Sequence, residues 1–446
     1  MLISELHIQN FRRFDDLKVT FEEDLTVLVA RNGHGKTSIL DCITVLLGPF
    51  VGAFDLGRSS RFYPRDARRH LDPSTLEPRE DWPVRVEGIV SFPEVEDTLI
   101  SNRLYDRRIA RELPGPKSHT TIREVADLTK YGKWLQENVH RLQSTVLPVV
   151  AYYGTGRLWK AHKNLERKKL LSENRSLGYE DCLSPASNFV QVQQWMAKAT
   201  MLKIQEAERL EPPRALIMAT RLSAIQTAVD SVLEEEGWSQ FSYSFDFEEL
   251  TMFHPDHGRL PVSQMSDGVR GVVSLVADLA FRCMRLNSFF GHIALEKTDG
   301  IVLIDEVDQH LHPGWQQRIL QAIRRAFPMI QFIVTTHSPE VLTTVESRQI
   351  RILKDGKCYG APAGALGAES SRLLQTVLGL KSLRPPVNEA AELNEYLELV
   401  YTGRWKDPRA VALRQKLDQL YQGEEPALLE ADLQIENQEW EAAAAP

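Results

Sequence analysis

Residues Val27-Leu28-Val29-Ala30-Arg31-Asn32-Gly33-His34-Gly35-Lys36-Thr37-Ser38 carry an apolar strand straight into a glycine loop and a helix start. Few folds tolerate that order, and it is the physical form of a phosphate cradle. Gly33 and Gly35 let backbone N–H groups turn toward phosphate oxygens. Lys36 supplies a point charge, and Thr37 offers a hydroxyl to Mg2+ at a helix N-terminus. Asn32, His34 and Ser38 complete the candidate nucleotide-binding stretch, which implies a bound nucleoside triphosphate. One position departs from the G-x-x-x-x-G-K-[ST] pattern: its first glycine is here Ala30. Support must therefore come from the rest of the chain.

The 446 residues suit either about three domains or one ATPase core with insertions. A net charge of −8 argues against a protein that coats nucleic acid without specificity, so any such contact would be local. Cysteines 42, 182, 283 and 358 show no C-x-x-C pair and no metal-ligand spacing, as expected of reduced residues in a cytosolic chain. The chain opens on the strand-like LISELHI, and its apolar runs fall short of the ~18 residues of a membrane span. A soluble, cytoplasmic protein with no membrane partner is expected.

Hydrophobic periodicity predicts strands at 2–8 and 17–29 around the polar turn Arg12 to Asp16, then a helix at 36–48. Residues 55–82, with Arg58, Arg61, Arg65, Arg68 and Arg69, read as a long surface loop. A strand at 84–92, a charged helical stretch at about 94–112, a helix near 122–143 and a strand at 146–153 follow. From 158 to about 240 the pattern is helical and charged, divided by prolines 212 and 213, and reads as an inserted helical subdomain. Its basic cluster from Lys160 to Lys169 reads as a solvated helix face, because acids such as Glu166 intervene. Residues 241–248, FSYSFDFE, alternate as one strand. A second catalytic lobe is expected from 241 to 360, and a helical tail from 361 to 446 that could bind a partner.

Ile301-Val302-Leu303-Ile304-Asp305-Glu306 has the form of a buried parallel strand that delivers two carboxylates at its C-terminal end. Asp305 would hold Mg2+ through water, and Glu306 would polarise the attacking water. A second strand, Gln331 to Thr336, ends at His337, where an imidazole could sense a γ-phosphate. Ser266-Asp267-Gly268 opens an apolar helix at about 271–286 and offers a second anion-binding helix end. The His310 and His312 pair is read as capping a helix at an interface rather than as a metal site.

These residues resemble the ATP-binding-cassette ATPases of the RecF, SMC and OLD type. Within them the chain is most similar to the ATPase subunit of Septu-like and retron-associated antiphage systems. Ile8-Gln9-Asn10-Phe11-Arg12 matches the opening, Asn32 to Thr37 the Walker A loop and Ser266-Asp267-Gly268 the signature. Asp305 to Pro313 matches Walker B running into the D-loop, and His337 the switch histidine. The Tyr152-Tyr153-Gly154-Thr155-Gly156-Arg157, Gly178-Tyr179-Glu180 and Trp315-Gln316-Gln317 stretches point to the narrower Septu-like group.

The resemblance implies an α/β fold, an ABC-type head of mixed sheets flanked by helices. It implies a head-to-tail ATP sandwich in which Lys36, Thr37, Asp305 and Glu306 of one protomer meet Ser266 and Gly268 of another. Arg12 and Arg13 would touch phosphates or base, and a homodimer or higher homo-oligomer would form. Related ATPases carry a glutamine after the strand that here ends at Tyr153. Its replacement by Gly154 to Arg157 implies slow hydrolysis, or a scaffold that binds ATP without turnover. OLD-type relatives often add a C-terminal nuclease, but the helical tail lacks clustered acids on strands, so no intrinsic nuclease is expected. The favoured function is an ATPase that gates a separate effector, by resemblance an HNH nuclease, with a retron reverse transcriptase or its nucleic acid as a further partner. The alternative is a RecF-like repair ATPase that clamps DNA directly.

Overall fold

The computed structural model describes residues 1–71, 77–96, 99–158, 174–185, 189–208 and 212–444. The basic cluster from Lys160 to Lys169 lies outside them. The chain divides into two compact units, Met1–Leu378 and Gly379–Pro446.

The first unit is built around helix Lys36–Val51. Ile39, Leu40, Ile43, Leu46, Leu47 and Phe50 are all fully buried, so the helix is apolar around its circumference and must be covered on more than one side. Two sheets cover it. One is antiparallel, with strands in the order Phe14–Thr20, Leu2–Phe11, Val84–Glu96, Leu99–Leu113. The other has six strands in the order Lys357–Gly360, Ile350–Lys354, Leu25–Ala30, Ile330–Thr336, Gly300–Ile304, Val149–Tyr153. All neighbours in it are parallel except the first pair. Its central strands are buried at every position, which accounts for their largely apolar sequences. Helices Phe189–Glu208, Pro212–Leu233 and Asp267–Leu286 pack on one another beside this sheet. The result is the mixed-sheet, helix-flanked P-loop architecture expected.

Several local expectations are corrected. Residues 94–112 are not helical: Leu99–Leu113 is a strand paired with Val84–Glu96 along a long hairpin. FSYSFDFE is not one strand. It stops at Ser244, turns through 245–248 and returns as Glu249–His254. The run 17–29 breaks at Phe21–Asp24, and the first hairpin turn is only Arg12–Arg13. The segment 55–82 contains a short ladder, Arg68–Leu71 against Pro78–Asp81, fastened by Arg68–Asp81 and Arg69–Glu80 ion pairs. One helical segment, Leu216–Glu236, is long and apolar enough to cross a membrane by composition. Its Ile225, Val229 and Leu233 are fully buried, while Leu216 and Ile217 at its start are exposed.

The second unit has its own small core. Leu393, Tyr396 and Val400 of helix Asn388–Tyr401 pack with Leu413 and Leu417 of Pro408–Tyr421 and with Leu428 and Ala431 of Pro426–Ala444.

Gly300 opens the strand that carries the acids, at φ 147°, where an added Cβ would collide with the Val149 carbonyl. Gly300→Ala should destabilise the first unit by roughly 2–5 kcal/mol through backbone strain and overpacking. Thermal unfolding checks this, and an unchanged midpoint would contradict it.

Candidate functional site

Three neighbouring parallel strands, Leu25–Ala30, Ile330–Thr336 and Gly300–Ile304, end on the same edge of the sheet. The glycine loop, His337 and the Asp305-Glu306 pair follow those ends directly. Ala30, the departure from the glycine pattern, pairs with Leu353 as the last residue of its strand. Extended backbone there needs no glycine. The flexible positions lie further on: Gly33 and Gly35 adopt φ 75° and 92°, and an added Cβ at Gly35 would strike the Phe14 ring. Helix Lys36–Val51 starts at Gly35 with no side-chain cap, so its first N–H groups face the loop.

Lys36 is buried. Its Nζ donates to the Ala30 carbonyl at 3.2 Å and meets Nε2 of His337. Burial lowers the Lys36 pKa, an effect opposed by Asp305, Glu306 and Asp308. Burial, and then the Lys36 charge, likewise lower the His337 pKa. The imidazole is thereby held neutral as an acceptor for the ammonium, at the end of the loop where a terminal phosphate would lie.

Asp305, only 2% exposed, is gripped from two sides. Thr37 Oγ1 donates to its Oδ2 at 2.8 Å, and Thr335 Oγ1 donates to its Oδ1 at 2.6 Å. The same Thr335 hydroxyl accepts the Glu306 N–H at 2.8 Å. Glu306 itself adopts a left-handed φ of 48°, which turns the chain out of the strand at the second acid. Oxygens of Thr37 and Asp305 thus converge at one point, a hard donor set that suits Mg2+.

Arg12 is placed on the chain's own acids and Arg13 on the glycine loop. Arg12 donates to Asp41 Oδ2 at 2.6 Å, Asp66 Oδ1 at 3.2 Å and Ser38 Oγ at 3.3 Å, while Arg13 meets the Gly33 carbonyl. Both therefore brace the loop and its helix. Ser266 caps helix Asp267–Leu286 by accepting the Val269 N–H, and Asp267 pairs with Arg270. Gly268 lies so close to the His310 carbonyl that a Cβ would not fit. The turn at Gly268 is thus packed on the segment that follows the two acids. Nδ1 of His312 accepts the Gly314 N–H as a helix cap, and no group of three or more potential metal ligands occurs among the described residues.

Sequence reasoning missed four contributors. Thr335 positions both acids, and its signal was a polar residue near the end of a buried strand. Asp41 anchors Arg12 and faces the Tyr152 hydroxyl, and burial raises its pKa. Tyr153 Oη donates to Asp278 Oδ2 at 2.8 Å, and Arg282 Nε donates to the same oxygen at 2.8 Å. Arg282 also donates to the Gly178 carbonyl at 2.8 Å. This buried network ties the signature helix to the strand end where relatives carry a glutamine. Its sequence signal was an acid and an arginine at i and i+4 on an apolar helix.

Thr335→Val keeps the shape and removes the hydroxyl. We expect turnover to fall by roughly 10–100-fold while ATP affinity stays within a few-fold, because the acids lose their orientation; normal turnover would contradict the positioning role. The depressed His337 pKa also fixes a sign. The unfolded chain takes up this proton more readily than the folded one, so stability present above the ordinary histidine pKa is lost as pH falls toward the folded value. Between about pH 7.5 and 5.5 the wild-type melting temperature should drop further than that of His337→Asn. Equal drops would refute it.

Comparison with known proteins places the chain in a family. An AAA domain family profile matches residues 5–236, more than half of the chain. A second AAA domain profile, described with the AbiEii toxin of a type IV TA system, matches 167–343. The protein named "Retron Ec83 probable ATPase" from Escherichia coli is 27% identical across 98% of this chain and 87% of its own length. "Retron Vc95 probable ATPase" from Vibrio cholerae serotype O1 biovar El Tor is 26% identical across 79% of this chain and 73% of its own. "Septu protein PtuA" from Bacillus mycoides is 35% identical over 22% of this chain and 13% of its own length. With its glycine loop, paired acids and signature turn in the order of the RecF, SMC and OLD group, the chain belongs to the AAA domain family and is an ABC-type ATPase.

Proposed function

We propose that this ATPase is the nucleotide-driven switch of an antiphage defence complex in the bacterial cytoplasm. The observation that carries the reading is the Thr37–Asp305–Thr335 hydrogen-bond chain beside the Lys36–His337 contact, which assembles the parts of one ATP site. The Gly33 to Ser38 loop, with Asn32 and His34, holds the phosphates through N–H groups and Lys36. Mg2+ at Thr37 and Asp305 would neutralise charge on the phosphates. Glu306 polarises the attacking water as general base, and His337 reports the terminal phosphate by taking up the contact Lys36 gives up.

Gly268 rests against the chain's own His310 carbonyl, and Ser266, Asp267 and Gly268 would serve a nucleotide held by a second copy. ATP then closes a head-to-tail dimer. That dimer controls a separate HNH-type nuclease, with a retron reverse transcriptase or its nucleic acid in the same assembly. The retron and Septu names of the relatives support this setting.

Glu306→Gln should bind ATP with wild-type affinity, lose turnover by about 100-fold or more and accumulate an ATP-bound dimer visible by light scattering. Lys36→Ala should lose binding itself. Unchanged hydrolysis in Glu306→Gln would remove the general-base assignment. A chain that stays monomeric with ATP would remove the shared site.

A further inference from the structure

An exposed cluster beside the ATP site is used by none of this chemistry. Between residues 55 and 69 the chain carries five arginines against two aspartates, within a protein of net charge −8. Three of those arginines are paired: Arg58 with Asp181 at 3.5 Å, Arg68 with Asp81 at 2.5 Å and Arg69 with Glu80 at 2.8 Å. Arg61 and Arg65 instead lie over the ring of Tyr63, their guanidinium carbons 5.4 and 5.2 Å from its centroid. Among the described residues no carboxylate pairs with either one. Asp66, the nearest acid in sequence, is already engaged: its Oδ1 accepts from Arg12 and its Oδ2 from the Tyr63 N–H.

The cluster is also rigidly mounted. Phe62 is buried against Phe11, and its N–H donates to Thr120 Oγ1 at 3.0 Å. The Asp66 carbonyl accepts the Arg12 N–H at 2.7 Å, and Ala67 bridges to Phe11. Tyr63 nevertheless stays 44% exposed. A ring and two unneutralised guanidinium groups, fixed together and facing solvent, lose little freedom when a ligand arrives.

The ligand that uses all three groups is anionic and planar at once. Free phosphate would occupy the guanidinium groups and leave the ring idle, and a duplex hides its base faces. We propose that Arg61, Tyr63 and Arg65 form a contact site for single-stranded nucleic acid, with an unpaired base stacked on the Tyr63–arginine platform and backbone phosphates on the two guanidinium groups. The site is local, consistent with the acidic charge of the whole chain.

Fluorescence anisotropy of the full chain with labelled oligo-dT and oligo-U of about 20 nucleotides tests this. Wild type should bind both in preference to a matched duplex, and two phosphate contacts should weaken binding by about sevenfold between 50 and 200 mM salt. Tyr63→Ala should lose roughly tenfold, Tyr63→Phe should stay near wild type, and Arg61→Ala or Arg65→Ala should each weaken binding and flatten the salt slope. Basal ATP hydrolysis should be unchanged in all four. Tyr63→Phe and the exposed arginine variants keep the test open if Tyr63→Ala does not fold. Equal binding of duplex, wild-type affinity in both arginine variants, abolition by millimolar inorganic phosphate, or no single-strand binding would each overturn the site.

Discussion

The parallel pairing of three strands, Leu25–Ala30, Ile330–Thr336 and Gly300–Ile304, is the constraint on which the rest depends. Parallel neighbours deliver their C-terminal ends to one edge of the sheet, so whatever follows each strand is gathered there. A glycine loop, a histidine and two acids follow, although more than 260 residues separate Thr37 from Asp305. Register fixes the fine placement. Ile304 pairs with both Val334 and Tyr153, so Asp305 emerges between Thr335 and the Tyr153 carbonyl, which accepts its N–H at 2.8 Å. One buried hydroxyl, that of Thr335, then sets the orientation of one acid and the backbone of the next.

The parts of the site that were legible in the sequence are those whose chemistry demands a residue type at a fixed spacing. The glycine loop needs small residues and a lysine, and a buried strand that ends in two acids has no apolar alternative reading. Ala30 shows the limit of pattern matching, since the substituted glycine stands where backbone is extended and glycine is not needed. Thr335 and Asp41 were missed because each works through a partner far away in the chain, and Asp278 because its nearby arginine gives no hint of the distant Tyr153. A threonine within an apolar strand is chemically unremarkable until Asp305 lies beside it.

The fold was misread where tertiary pairing overrides local preference. Leu99–Leu113 is rich in arginine and leucine, residues that favour helix in isolation. It is a strand because Val84–Glu96 pairs with it over nearly its whole length, with Arg85–Glu112 and Arg108–Glu87 ion pairs across the ladder. The hairpin within FSYSFDFE hides for a related reason. Phe245 and Phe247 continue the alternating pattern into the turn, yet both are exposed, so their period carries no burial. Arg68 and Arg69 looked like loop charges because their acids stand on a strand 10 residues further on.

The same geometry joins the signature turn to the loop that carries the two acids. Gly268 rests against the His310 carbonyl, and His310 follows Asp305 and Glu306 within a tight loop with left-handed φ at 48° for Glu306 and 62° for His310. The signature turn is therefore packed on the segment that leaves the two acids. At its middle the signature helix is fastened again, by Asp278 and Arg282, to the strand end at Tyr153. The Asp278–Arg282 attachment is buried and the Gly268 contact is too close to admit a Cβ, so neither deforms gradually. A buried tyrosine, aspartate and arginine thus link the signature helix to this strand end.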